Sequence, residues 1–345
     1  MITPNLFKFA TSELSQDAFI CWLLSWADQD YQAGDDKHKA LNKIATSVLA
    51  LFFNKASKSL PSSIDKIVVR RQVSNIDVLC IINETYCVLI EDKVGSIQHS
   101  DQLVRYKQFM LNGHAQTFTE DKVVPIYLQT HDQSNYNAVL KDGFYPVTRR
   151  DLLDIFDSEK NAALQESDIY SDYHNYLQSI EEAVQSFKSQ PVKEWKKRAW
   201  IGFFQYLQSY LEEGNWKYVA NKSGGFMGFW AFKQVVGDVA VYLLLEQNKV
   251  CFKVSVPSSE GRSKIRNELY KLFKIEASKF DLNVTKPKRF GSGKDMTFAI
   301  LDTDVFESEN SIDLQQVNKL MDEVQKLINH AVNQYKNTND TPLST

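Results

Sequence analysis

The stretch from Asp77 to Lys93 constrains this chain more than any other. Asp77-Val78-Leu79-Cys80-Ile81-Ile82 and Tyr86-Cys87-Val88-Leu89-Ile90-Glu91-Asp92-Lys93 are rich in β-branched and aromatic residues and are joined by Asn83-Glu84-Thr85, the pattern of a β-hairpin. With those three residues as the loop, Ile82 pairs with Tyr86, and counting back sets Asp77 opposite Glu91. Cross-strand partners share a face at about 4.5–5.5 Å between Cβ atoms. Glu91 and Lys93, two apart on one strand, share that face, while Asp92 points to the other. An apolar hairpin thus ends in two acids and an amine around one point.

Two carboxylates this close repel unless a proton or a cation lies between them. Carboxylate oxygens, completed by a backbone carbonyl and water, suit Mg2+ or Mn2+. An ion held so binds a phosphate oxygen and acidifies a bound water. Lys93 can orient that water or offset charge growing on phosphorus. The plainer reading is a set of solvated charges that stop edge pairing at the end of a surface hairpin.

The flanks decide between these readings. Ser100 to Leu111 has helical spacing of Leu103, Tyr106 and Met110, with Ser100 as N-cap and Asp101 in the first turn. Gln102 and Tyr106, four apart, share a helix face and suit a phosphate or a base. Upstream, Ser12-Glu13-Leu14-Ser15-Gln16-Asp17-Ala18-Phe19 opens an apolar helix through Trp22, Leu23 and Trp26, capped by Ser12 or Ser15.

An acid in a first helix, then Asp, then Glu-x-Lys, then Gln-x-x-x-Tyr resembles the PD-(D/E)XK nuclease superfamily, its RecB-type and lambda-exonuclease-type branches in particular. The opening Glu-Leu-Ser-Gln-Asp-Ala-Phe looks like a bacterial family within it. The resemblance covers roughly residues 10 to 155. It implies Asp77 and Glu91 as metal ligands with the Asp92 backbone carbonyl as a third, Lys93 assisting the water, Glu13 reaching metal through water, and Gln102 and Tyr106 positioning the phosphate. Ile76 stands where the superfamily name has proline, a position that carries no ligand. The activity implied is that of a Mg2+-dependent deoxyribonuclease, with Mn2+ as substitute, in bacterial defence or DNA processing. RNA is not excluded, and a homodimer or an activating protein partner is compatible. The competing expectation is a non-catalytic nucleic-acid-binding or assembly scaffold on the same fold.

At 345 residues the chain is long enough for two domains. Hydrophobic residues at 43% against 24% charged mark a globular protein. A net charge of −3 argues against a coat of basic surface but leaves room for local patches. No apolar run approaches a membrane span and the N-terminus lacks a signal pattern, so the cytoplasm is the expected location. Cys21, Cys80, Cys87 and Cys251 have no C-x-x-C spacing, and Cys80 and Cys87 read as buried thiols. Of six scattered histidines, only His99 lies near both motifs.

Helices are expected over 13–29, about 37–58, 149–156 and 168–188, and strands over 67–73, 123–128 and 145–148. That order, α-β-β-β-α-β-(β)-α, fits a restriction-endonuclease-like mixed sheet flanked by helices, an α/β core in an α+β protein. Pro191 breaks the chain, giving a nuclease-like domain over 1–190 and an accessory α+β domain over 191–345 for recognition, sensing or assembly. The latter begins with a helix from Lys193 to about Glu213. Antiparallel strands follow over 216–222, 225–234, 238–247 and 249–256, then a helix over 260–278, strands over 283–288 and 295–301, and a helix from Asp313 to Tyr335. Gly291-Ser292-Gly293-Lys294 lacks the Walker pattern, Lys286, Lys288, Arg289 and Lys294 form a small basic cluster, and the aromatic strand Gly225 to Phe232 reads as core.

Overall fold

The computed structural model describes residues 4–95, 102–112, 118–159, 162–221, 224–307 and 309–339. Ser100, Asp101, His99 and Ser223 lie outside these residues. The chain divides into two compact units, Met1–Glu182 and Ala183–Thr345.

In the first unit α1 (Glu13–Ser25) begins at Ser12, whose side chain accepts the Ser15 N–H, so the earlier of the two candidate caps is the one used. Next come α2 (Asp36–Lys55), β1 (Ile67–Val73), β2 (Ile76–Ile82), β3 (Tyr86–Lys93), α3 (Gln102–Asn112), β4 (Val123–Gln129), α4 (Asn137–Lys141), β5 (Tyr145–Thr148), α5 (Arg149–Ser158) and α6 (Asp168–Gln185). The sheet order is β1-β2-β3-β4-β5. The β1–β2–β3 meander is antiparallel, and β3–β4 and β4–β5 are parallel. The parallel strands carry unbroken apolar runs because helices cover both faces. Pro125 lies one residue before the β5 ladder starts at Ile126, so its missing N–H costs that ladder nothing.

Period-two alternation divides the sheet between two cores. Val78, Cys80, Ile82, Val88 and Ile90 pack with residues of α1, α2, α5 and α6 such as Phe19, Phe52, Phe156 and Tyr173. Leu79, Cys87 and Leu89 pack on the opposite face with Leu103, Tyr106 and Met110 of α3 and Val139 of α4. Cys80 and Cys87 are buried free thiols, as expected.

The second unit comprises α7 (Lys197–Leu211), β6 (Asn215–Val219), β7 (Phe226–Val236), β8 (Val239–Glu246), β9 (Lys249–Ser255), α8 (Arg262–Glu276), β10 (Asn283–Thr285), β11 (Asp295–Asp302) and α9 (Leu314–Asn339). Its antiparallel sheet has the order β10-β11-β9-β8-β7-β6. The expected helix start at Lys193 is corrected to Lys197. Trp195 is extended and buried, with its indole N–H donating to the Gln190 carbonyl at 2.9 Å, and burial of that ring outweighs helix propensity. The aromatic strand is mostly core: Met227, Phe229, Ala231 and Phe232 are buried. Among the described residues no helix is long and apolar enough to cross a membrane.

Candidate active site

The β2–β3 register runs from Ile82↔Tyr86 to Val78↔Ile90, so the next step brings Asp77 to Glu91 as counting predicts. There the main-chain ladder gives way to a side chain. Asp77 Oδ2 accepts the Asp92 N–H at 2.9 Å, which fixes the carboxylate against the strand it faces. Its other oxygen, Oδ1, accepts from Gln72 Nε2 at 3.2 Å. Gln72 holds a left-handed backbone with φ of 58°, and it interrupts the β1–β2 pairing between Arg71↔Val78 and Val73↔Ile76. A non-glycine residue in that region costs about 1–2 kcal/mol, and here the distortion turns an amide toward Asp77.

Lys93 gathers the acids. Its Nζ lies 2.6 Å from Glu91 Oε1, 3.7 Å from Glu13 Oε2 and 3.8 Å from Asp77 Oδ2, and it donates to the Asp92 carbonyl at 2.9 Å. The Lys93 side chain is 8% exposed and that of Glu91 0%, against 38% for Glu13. The cluster is therefore an enclosed pair with one outlying acid at its mouth. From α3, Gln102 Nε2 donates to Glu91 Oε1 at 3.0 Å and to the Tyr106 hydroxyl at 2.6 Å. Every residue singled out from the sequence for this site thus comes together: Glu13, Asp77, Glu91, Lys93, Gln102, Tyr106 and the Asp92 carbonyl.

Burial, and then the charge of Asp77, pushes the Glu91 carboxyl up to about 7 in spite of Lys93. Burial alone would lower the Lys93 ammonium, but its hydrogen bond to Glu91 and the charges of Glu91, Asp77 and Glu13 outweigh that and raise it. Lys93 is accordingly a cation and a donor at neutral pH, and no base. Burial raises the Tyr106 phenol as well.

The donor set suits a hard divalent ion. Asp77 and Glu91 offer side-chain oxygens, Asp92 a main-chain one, and Glu91 Oε2 is buried with no hydrogen-bond partner. Among the described residues no three His, Cys, Asp or Glu side chains group to hold a metal, and a site of two carboxylates, one carbonyl and water needs none.

The opposite face of β3 holds a network that sequence reasoning missed. Asp92 is fully buried and accepts from Gln16 Nε2 of α1, and Gln16 Oε1 accepts from the Thr130 hydroxyl at 2.7 Å. The Thr130 carbonyl accepts from Arg149 Nη1 at 2.7 Å, and the same guanidinium forks onto Asp132 and Glu181. Asp17 Oδ1 and Asp92 Oδ2 are both buried without a donor. Burial and Asp77 raise Asp17 to about 6, and burial holds Asp92 well above the carboxylate range. One proton held between Asp17 and Asp92 satisfies both. The available signal was spacing: Gln16 and Asp17 fall one helical turn after Glu13 and return to the same strand.

Residues 4–224 match the family model described as the PD-(D/E)XK nuclease superfamily. No curated protein and no solved structure matches. The five-stranded mixed sheet between helices is consistent with the restriction-endonuclease-like architecture that such a match implies.

Proposed function

This chain belongs to the PD-(D/E)XK nuclease superfamily, and on that premise we propose that it is a divalent-metal-dependent nuclease that hydrolyses phosphodiester bonds of DNA. The observation that carries the reading is the convergence of Glu13, Asp77 and Glu91 within 3.8 Å of one buried ammonium, Lys93 Nζ. A solvated hairpin end would not bury Glu91 at 1% and Lys93 at 7% exposure, because lone buried charges are costly.

Asp77, Glu91 and the Asp92 carbonyl are the ligands this reading assigns, with Glu13 acting through water. Mg2+, or Mn2+ in its place, would supply Lewis acidity toward a phosphate oxygen and an acidified water. Lys93, charged and short of solvent, donates toward the water and the phosphate and offsets charge that grows as water attacks phosphorus and the P–O bond to the leaving oxygen breaks. Gln102 steadies Glu91 through its amide, and the Tyr106 hydroxyl beside it offers a further polar contact for the phosphate. Gln72 and the Asp92 N–H hold Asp77 in place, which keeps the ligand set preorganised.

The test is agarose analysis of supercoiled plasmid with Mg2+ or Mn2+, comparing wild type with Lys93→Ala, alongside Mn2+ calorimetry on wild type and Glu91→Gln. Cleavage lost in Lys93→Ala and a saturable Mn2+ site lost in Glu91→Gln are expected. A wild-type protein without a saturable site would leave the scaffold reading in its place.

A further inference from the structure

A cavity of about 460 Å3 opens beside the acid–amine cluster, lined by Ser74, Asn75, Gln102, Arg105, Tyr106 and Phe109. Gln102 and Tyr106 belong to both places, so the cavity begins one hydrogen bond from Glu91. Its lining combines two aromatic rings, two hydroxyls, two amides and a guanidinium, with no carboxylate among the described residues. Arg105 is exposed and, among the described residues, has no ion-pair partner. An exposed guanidinium beside the acid–amine cluster suits a phosphate.

The far wall comes from the β1–β2 turn, where Ser74 and Asn75 take left-handed backbone with φ of 52° and 69° between the paired Val73 and Ile76. Consecutive left-handed residues make the tight hairpin turn, and short polar side chains at its tip suit the hydrogen-bonding edge of a base. Aromatic faces stack on any base. A base locked in a duplex stack cannot enter such a recess, whereas an unpaired one can.

We infer that this cavity receives the unpaired base of a nucleotide adjoining the scissile phosphate, stacked on Phe109, with Asn75 at its edge and Arg105 on the neighbouring phosphate. The inference rests on the nuclease reading above and narrows its substrate class to strands that are single or frayed at the cut. The experiment is fluorescence anisotropy with a fluorescein-labelled twelve-nucleotide single strand and a hairpin duplex of the same sequence. Ca2+ replaces Mg2+, and binding is followed across a range of salt.

Single strand should bind at least about ten-fold tighter than duplex, in line with one stacked base. Arg105→Ala should reduce the slope of log affinity against log salt by about 0.7, one phosphate's share on a single strand. Phe109→Ala should weaken single-strand binding about 5- to 140-fold and leave duplex binding alone. Asn75→Gly, which keeps the turn and deletes only the amide, should change the ranking of dA, dC and dT homopolymers. Should Phe109→Ala fail to fold, the two variants at exposed positions still decide the matter. Equal binding of both forms, an unchanged salt slope in Arg105→Ala, or no binding by wild type overturns the subsite. Plasmid and oligonucleotide cleavage with Mn2+ separates the two readings. Strand preference that depends on Phe109 without cleavage removes the nuclease and keeps the subsite, and cleavage with indifferent binding does the reverse.

Discussion

Arg149→Met offers the sharpest test of how the first unit is held together. Arg149 is 2% exposed and spends its guanidinium on five hydrogen bonds: two to Asp132 at 3.0 Å, two to Glu181 at 3.0 and 2.7 Å, and one to the Thr130 carbonyl at 2.7 Å. Glu181 keeps Arg150 at 3.0 Å after the substitution, so its share of the loss is small. The cost falls on Asp132 and on the Thr130 carbonyl. Removing one partner of a buried ion pair costs about 3–5 kcal/mol. Because exchange of sheet amides reports local opening, that loss corresponds to about 140- to 4,000-fold faster exchange. Hydrogen–deuterium exchange of peptides from β4, β5 and α5 reads it, with peptides of the second unit as internal control. Arg149→Lys keeps the charge without the fork and should fall between, and adding Asp132→Asn to Arg149→Met should restore about 1–2 kcal/mol through the coupling of contacting residues. Exchange within about two-fold of wild type in Arg149→Met would refute the argument, as would a double variant no better than the single.

Gln72→Gly removes the amide on Asp77 together with the left-handed penalty, so stability should stay within about 1 kcal/mol while the cleavage rate falls about ten-fold, one charged hydrogen bond; equal rates would deny Gln72 a positioning role. Gly202 of α7 leaves no room for a side chain, since an added Cβ would stand 1.9 Å from the Val184 carbonyl oxygen; Gly202→Ala should destabilise the second unit by about 1–3 kcal/mol, read by exchange in α7 peptides. The hydrogen bond from Lys279, and then His330, holds the Glu276 carboxyl below its ordinary 4.5. A lowered carboxylate stabilises above its unfolded pKa and loses that contribution as pH falls through the folded one, so wild type should lose second-unit stability on acidification below about 4.5 and Glu276→Gln should flatten that limb in a melting series.

The acid–amine face was legible because two periods fixed it. A three-residue loop at Asn83 to Thr85 sets the strand pairing, and alternation then assigns Glu91 and Lys93 to one face and Asp92 to the other. The four-residue spacing of Gln102 and Tyr106 did the same for α3. Gln72 escaped notice because a left-handed residue inside a strand leaves no mark in hydrophobic pattern. The Asp92–Gln16–Thr130–Arg149 chain escaped because its partners lie 76, 114 and 19 residues apart and meet only through tertiary packing. The chain divides into two units after Glu182, and Phe187, ahead of Pro191, packs with the second core.

The position of Lys93 has one more consequence. Crowded acids in an enzyme stripped of its ion would normally strain the strands that bear them, yet here the protein carries a resident counter-ion of its own, hydrogen-bonded to Glu91 and to the Asp92 carbonyl. On the nuclease reading, a divalent ion joins a cluster whose acids Lys93 already partly neutralises inside a finished sheet, so chelation should stop cleavage without unfolding the protein.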